Sequence, residues 1–367
     1  MNEDKATRYH RAQRTTFWIA LVLGVVALIL LLPGGGAVAL RQWLVAATGL
    51  AATSPLVAVL FALCLLAAFE VIDLPMTIYR TRLQRRYEAA LERPRTTPID
   101  RLKSAAVNAA MVGAATFAIY LAMALSSRWW WVIVASLGVG VRAVFGRGAN
   151  IYPPAFFKCR MLRRSTLRDR LEALGARAGI HTLDIYEWTP DAGTVQTNAR
   201  LIGAGDRCRI LLSKNLLADF SPDEVEVIVA HELGHHVHRD IRNGHRLRTV
   251  LAFVTGGVAM VALDVMWRPL GLLAPNDAAG WPLLLAAAAL VTIVTEPLLK
   301  GLSRRTEFRA DRFAVTLTGR SDVFASTLRR LADRRLADMR PSLATIWLFH
   351  SHPTVEQRIR AASASVR

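Results

Sequence analysis

Cysteine is nearly absent from this chain. Three occur in 367 residues, Cys64, Cys159 and Cys208, with no C-x-x-C pair among them. That excludes a disulfide framework and a thiolate zinc site, and it suits soluble parts facing a reducing compartment. Acid is scarce too: 28 Asp plus Glu stand against 46 Lys plus Arg, a formal charge of +18. Such an excess fits nucleic acid, anionic lipid or cytoplasmic loops, and the placement of the charges decides among them. They gather beside apolar spans, as the positive-inside bias would put them, so no nucleic-acid partner is expected and the lipid bilayer is. Nor does the composition suit a soluble domain. Hydrophobic residues make up 53% of the chain, mean hydropathy is +0.30, and the apolar blocks are long enough to cross a bilayer.

The first block, residues 17–32, follows a tail bearing Lys5, Arg8, Arg11 and Arg14. Ala37-Val38-Ala39 has the spelling of a signal-peptidase site. Cleavage there would leave the basic loops downstream on the wrong side of the membrane, so an uncleaved span is expected. A second uncharged block between Arg41 and Glu70 contains Pro55 and exceeds one straight span, which predicts a tilt or a break. Residues 105–125 and 129–145 read as the third and fourth spans, with Trp129, Trp130 and Trp131 as an aromatic belt. Spans five and six cover 249–267 and 281–300. The loops between them that alternate to the outside carry one basic residue each, Arg41, Arg128 and Arg268. The 73–104 loop carries Arg80, Arg82, Arg85, Arg86, Arg93, Arg95, Arg101 and Lys103. Both termini, that loop, 147–248 and the segment from 302 onward are therefore expected in the cytoplasm, and the membrane is read as the plasma (inner) membrane of a prokaryote.

The segment 147–248 has the pattern of a folded domain. Residues 165–178 are helical in period, Leu183 to Trp188 alternates like a strand, and Gln196–Ile202 with Cys208–Leu212 flank a hairpin turn at Gly203-Ala204-Gly205-Asp206. Ser221-Pro222-Asp223-Glu224 is a capping box with Pro at the first helical position, predicting a helix from there to about Asp240. On that helix lies His231-Glu232-Leu233-Gly234-His235. Residues i and i+4 share a helical face, so His231 and His235 can aim at one zinc ion with Glu232 beside it. Two His ligands leave room for a third protein ligand and an open position. A carboxylate for that third place stands at Glu307, and Asp311, four residues on, can accept a hydrogen bond from a ligand His. The 72 residues from His235 to Glu307 hold a membrane hairpin that returns the chain to the same side.

With these residues in view, the chain resembles the integral-membrane zinc endopeptidases that include the type I CAAX prenyl protease and the heat-shock protease HtpX. Four pieces carry the resemblance: Thr197-Asn198-Ala199 with Arg209-Ile210-Leu211-Leu212; Ala230-His231-Glu232-Leu233-Gly234-His235; Ser303-Arg304 with Glu307-Phe308-Arg309-Ala310-Asp311; and Ser351-His352-Pro353 with Arg358-Ile359. The resemblance implies one zinc per chain on His231, His235 and Glu307, and Glu232 as general base. It offers His352 and Arg358 as oxyanion donors, and Asn198 and Ala199 as a strand binding extended substrate. The apolar runs and the resemblance together read as a polytopic α-helical membrane protein of about six transmembrane helices with a cytoplasmic α+β gluzincin-type zinc metallopeptidase domain. The division is 1–146 for a four-helix membrane domain, 147–248 and 302–367 for the two parts of the peptidase domain, and 249–301 for the hairpin between them. A peptide or membrane-protein substrate is implied.

Phe69-Glu70, Leu74-Pro75 and Tyr79 lean toward the CAAX prenyl protease branch, while a quality-control protease of HtpX type is the alternative. A metalloprotease-domain signalling receptor would want an outside sensor domain, and an inactive membrane scaffold would show a lost ligand or base. Oligomeric state is unassigned. His236 and His238 turn off the ligand face and are expected to be solvated or membrane-facing, and Asp264 is a carboxylate to test inside a span.

Overall fold

The computed structural model describes residues 2–91, 98–151, 158–180, 182–189, 199–204, 207–334 and 341–364. Five helices come first: α1 (Asn2–Leu31), α2 (Gly36–Thr48), α3 (Pro55–Leu91), α4 (Pro98–Leu125) and α5 (Trp130–Ile151). The uncharged block does break, between Thr48 and Pro55. Gly49, at φ 69°, ends α2 in the left-handed region that glycine enters without penalty. Pro55 then opens α3, where its missing N–H loses no helical bond. At 13 residues, α2 is roughly 20 Å long, short of a hydrocarbon core of about 30 Å. Arg41, expected in an outside loop, lies within α2 and is buried. Its Nη1 donates to Asp277 Oδ2 at 2.6 Å, and that carboxylate also accepts from the Leu273 and Ala279 N–H groups. The pair ties α2 to the connection that precedes the last long helix.

The remaining elements are β1 (Lys158–Met161), α6 (Thr166–Arg177), β2 (Thr182–Thr189), β3 (Ala199–Ala204), β4 (Arg207–Ser213), α7 (Lys214–Asp219), α8 (Pro222–Val237) and α9 (Asp240–Met266). A 3-10 turn at Ala278–Gly280 follows, then α10 (Trp281–Thr318), α11 (Ser321–Arg334), α12 (Leu343–Phe349) and α13 (Val355–Ser363). By length and composition, helices at Arg8–Leu31, Pro55–Leu83, Ile99–Leu125, Asp240–Met266 and Ala278–Thr318 can cross a membrane, and Trp130–Phe145 is a shorter apolar one. Side chains such as Ile29, Leu30, Val261 and Ile293 are exposed along them, which suits lipid rather than water as solvent.

The sheet runs β1-β2-β4-β3, with β2 and β4 parallel and the outer pairs antiparallel. The expected hairpin is β3–β4, closing with Ala204 opposite Arg207. Its tip and residues 190–198, Asn198 included, lie outside the described residues. Leu171 and Leu174 of α6, Ile185 of β2, Ile210 and Leu212 of β4, and Val225, Val229 and Leu233 of α8 share one buried core. The three from α8 recur every four residues, so one face of α8 is consumed by the sheet and the flanking positions face elsewhere.

What positions the site is the crossing of α8 and α10. Ser221 accepts from the Glu224 N–H and the Glu224 carboxylate accepts from the Ser221 N–H, so the capping box starts α8 as its sequence predicts. The span expected at 281–300 and the segment bearing Glu307 prove to be one continuous helix, α10, 38 residues long. It carries a membrane-derived direction straight into the soluble domain. A Cβ on Gly234 would stand 3.1 Å from Ala310 Cα and 3.2 Å from the Phe313 ring. Glycine is thus the residue that lets the two backbones close. Gly234→Ala should push α8 and α10 apart by a few tenths of an ångström and destabilise the protein by about 1–3 kcal/mol, with weaker metal uptake, as read by thermal unfolding and chelator competition. An unchanged melting curve would show that the contact is not limiting.

Candidate metal centre

Three side chains from α8 and α10 meet. His231 Nε2 is 3.2 Å from His235 Nε2, and the two lie 3.5 Å from Glu307 Oε2 and Oε1 respectively. One ligand atom from each falls within 4.8 Å of the others. A tetrahedral ion with bonds of about 2.0–2.1 Å spaces its ligands about 3.3 Å apart, so the residues fit such an ion. The donor set has the same need: two imidazole nitrogens and a carboxylate converge, and Glu307 Oε2 is buried with no hydrogen-bond partner among the described residues.

Each ligand is braced from behind. Asp311 Oδ1 stands 2.9 Å from His231 Nδ1, the pairing its i+4 spacing from Glu307 predicts. The contact lies off the ring N–H axis, so it is a short polar contact rather than a straight hydrogen bond. Arg358 of α13 grips Asp311 with two bonds, Nε to Oδ2 at 2.8 Å and Nη2 to Oδ1 at 2.6 Å. The same Nη2 is 3.4 Å from Glu307 Oε2. Burial alone would raise the Asp311 pKa, yet the Arg358 and His231 contacts outweigh it and hold this carboxyl below its usual range. His352 places Nδ1 3.1 Å from Glu307 Oε2 while its side chain stays 64% exposed. Burial likewise opposes the charged form of Glu307, and His235, His352, His231 and Arg358 together overcome it and keep the carboxylate ionised.

Asp240 is the residue that sequence reasoning missed. The helix expected to continue to Asp240 ends at Val237, and Arg239 adopts φ 58°, a left-handed conformation unusual for a side chain of this size. That turn begins α9 and swings Asp240 back, so that Oδ2 lies 2.9 Å from His235 Nδ1. Arg309, inside the Glu307–Asp311 segment, pairs with Asp240 from the other side. Burial opposes the His235 imidazolium, but hydrogen bonds to Glu307 and Asp240 prevail and lift its pKa to about 9. The only advance signals were an acid five residues past the second His and an Arg in the third-ligand segment.

Glu232 sits beside the ligands on α8, half-buried, and has no hydrogen-bond or ion-pair partner among the described residues. Burial pushes its carboxyl above the usual range, against the pull of His231 and His235. Ala199 opens β3, which packs along α8 and forms one edge of the sheet. His236 and His238 are not solvated as expected. His236 Nε2 lies 3.2 Å from the buried Cys208 Sγ, and His238 Nδ1 donates to the Gly234 carbonyl at 2.6 Å with its ring edge-on to Phe313. Asp264 is exposed along α9 and takes no part in the centre.

A metal-binding pair of helices set at the end of membrane spans marks a membrane metallopeptidase. The chain belongs to peptidase family M48, whose model matches residues 161–366. Residues 2–147 match the model described as the CAAX prenyl protease N-terminal region with five membrane helices. An uncharacterized metalloprotease of Bacillus subtilis, YhfN, is 23% identical over 97% of this chain and 84% of its own. The protease HtpX of Acinetobacter baumannii is 27% identical over 54% of this chain and 70% of its own. The crystal structure of S. mikatae Ste24p shares the fold, with a TM-score of 0.77, 18% identity, and coverage of 98% of this chain and 88% of that one. The protein is an integral, multi-pass membrane metallopeptidase.

Removing a bracing carboxylate frees a ligand His to rotate. Asp240→Ala should weaken zinc binding about 10–100-fold, measured by competition with a chelator. Wild-type affinity in this variant would mean that the protein around His235 orients it without Asp240.

Proposed function

We propose that this protein is a zinc-dependent endopeptidase that hydrolyses peptide bonds of membrane-associated proteins or peptides on the cytoplasmic side. The observation that carries the reading is the convergence of His231, His235 and Glu307 with Glu232 beside them and unengaged. Zinc held by those three residues would supply a Lewis acid that polarises the scissile carbonyl and lowers the pKa of water.

The chain's own groups do the rest. Glu232 takes the proton of the attacking water and returns it to the leaving amine, a transfer suited by a carboxyl whose affinity for protons is raised by burial. His352 is exposed enough for its Nε2 to face substrate while Nδ1 lies 3.1 Å from Glu307 Oε2, and we assign it the oxyanion. Arg358, offered by the sequence for the same task, has Nε and Nη2 engaged by Asp311, so its role is read as a brace that keeps Asp311 against His231. The edge strand from Ala199, with Asn198 before it, would receive an extended peptide as an added strand. The basic segments 73–104 and 239–248 favour the cytoplasmic side for the centre and both termini, in the plasma (inner) membrane of a prokaryote.

The match of residues 2–147 favours the CAAX prenyl protease branch and thus a lipidated peptide. The HtpX relatives, which cover 54% of this chain, favour the alternative that the resemblance offers, quality control of unlipidated membrane proteins. Purified Glu232→Gln should keep its zinc and lose at least about 100-fold in peptide cleavage, and undiminished cleavage would rule out Glu232 as the base that activates water. Faster turnover by the wild type of a prenylated peptide than of its unlipidated twin is the outcome expected of the first branch, and equal turnover that of the second.

A further inference from the structure

The short helix α12 has an unusual distribution of partners. Its sequence, Leu343-Ala344-Thr345-Ile346-Trp347-Leu348-Phe349, contains no charge, and none of its residues is fully buried. Leu343 is 82% exposed and Trp347 54%, and with the exposed Ala344 they form one face at i, i+1 and i+4. A soluble domain gains nothing by presenting a leucine and a tryptophan to water in this way.

The other side of α12 is fastened to the ends of two membrane spans. Arg304 Nη1 on α10 donates to the Ile346 carbonyl at 3.1 Å and the His350 carbonyl at 2.7 Å, and Lys300 Nζ donates to the Leu348 carbonyl at 2.7 Å. Phe349 meets Phe17 and Trp18 of α1 edge-on, at 5.2 and 6.0 Å between ring centroids. Phe17 and Trp18 begin the apolar run of the first span, and Lys300 and Arg304 stand where the apolar run of α10 gives way to charge. These four residues, joined through α12, are the aromatic and basic types that concentrate at a boundary between acyl chains and headgroups. A shallow cleft of about 470 Å³, lined by Arg304, Leu343, Ala344, Ile346 and Trp347, opens there. Its walls are apolar with one guanidinium, the chemistry of an acyl chain below a phosphate.

We propose that α12 is an in-plane membrane-surface helix, seated in phospholipid with Leu343, Ala344 and Trp347 among the acyl chains. Lipid is the occupant because the exposed face continues the apolar belt of α1 and α10, and the Leu298 and Leu302 side chains exposed on α10 extend it. The seat has a consequence for the centre. His352 follows the last carbonyl held by Arg304 by two residues, so the lipid surface fixes the segment that brings His352 to Glu307.

The test requires no activity, so it stands apart from the peptidase reading. In the full-length protein in nanodiscs of phosphatidylglycerol and phosphatidylethanolamine, Leu343→p-benzoylphenylalanine and Trp347→p-benzoylphenylalanine are irradiated singly and their adducts identified by mass spectrometry. Leu298 on the α10 span and Arg329 on the soluble α11 serve as reference positions. Lipid adducts at 343 and 347 should match the yield at 298 and exceed that at 329 at least about tenfold. A yield at both positions as low as at 329 would mean the face meets water. Adducts to protein instead of lipid would mean that a substrate or a second copy covers it. Either result overturns the proposal.

Discussion

The close approach of α8 to α10 at Gly234 and Ala310 is the contact on which the rest of the molecule depends. α8 contributes two imidazoles and a carboxylate at a spacing set by its own helical pitch, but a helix cannot supply the third ligand from itself. Glu307 must arrive from a distant part of the chain, and it arrives on a helix that has already crossed the membrane. The buried faces of both helices then act as a gauge. Val225, Val229 and Leu233 set α8 on the sheet, Ala310 and Ala314 keep α10 slim where it crosses, and Gly234 removes the last obstacle. Small residues at a helix crossing thus determine a ligand separation that matches a small tetrahedral ion.

Around that crossing the protein spends charge to hold geometry. His231 leans on Asp311, which leans on Arg358. His235 leans on Asp240, which leans on Arg309. The two chains of contacts are mirror solutions to one problem, since an imidazole that ligates through Nε2 must have Nδ1 fixed. Each buried carboxylate is matched by an arginine, which keeps it ionised despite burial. Glu232 is the exception. It sits among these groups with no hydrogen-bond or ion-pair partner among the described residues, and the role proposed for it, moving a proton, rests on that.

Much of this was legible in the sequence because it depends on local chemistry. Ser221, Pro222 and Glu224 announce the start of α8, the i and i+4 histidines share the face that meets Glu307, and Glu307 with Asp311 repeats that spacing on α10. The spans follow from apolar run length, with α2 too short to have declared itself and Arg41 misread because a buried ion pair with Asp277 needs the partner in view. Asp240 was hidden for a different reason. Arginine rarely adopts a positive φ, so nothing in the sequence marked the break at Arg239 that turns Asp240 toward His235. His236 was misjudged because helical geometry tells which residues leave the ligand face but not that Cys208 of β4 waits on the other side.

The proposed peptidase chemistry turns on whether His231, His235 and Glu307 together hold one zinc ion per chain. X-ray absorption at the zinc edge on the purified full-length protein answers this, with metal content counted in parallel. One zinc per chain is expected, with only nitrogen and oxygen neighbours at about 2.0–2.2 Å, and that zinc should be lost in Glu307→Ala. A sulfur neighbour at about 2.3 Å, or full zinc content in Glu307→Ala, would contradict the assignment.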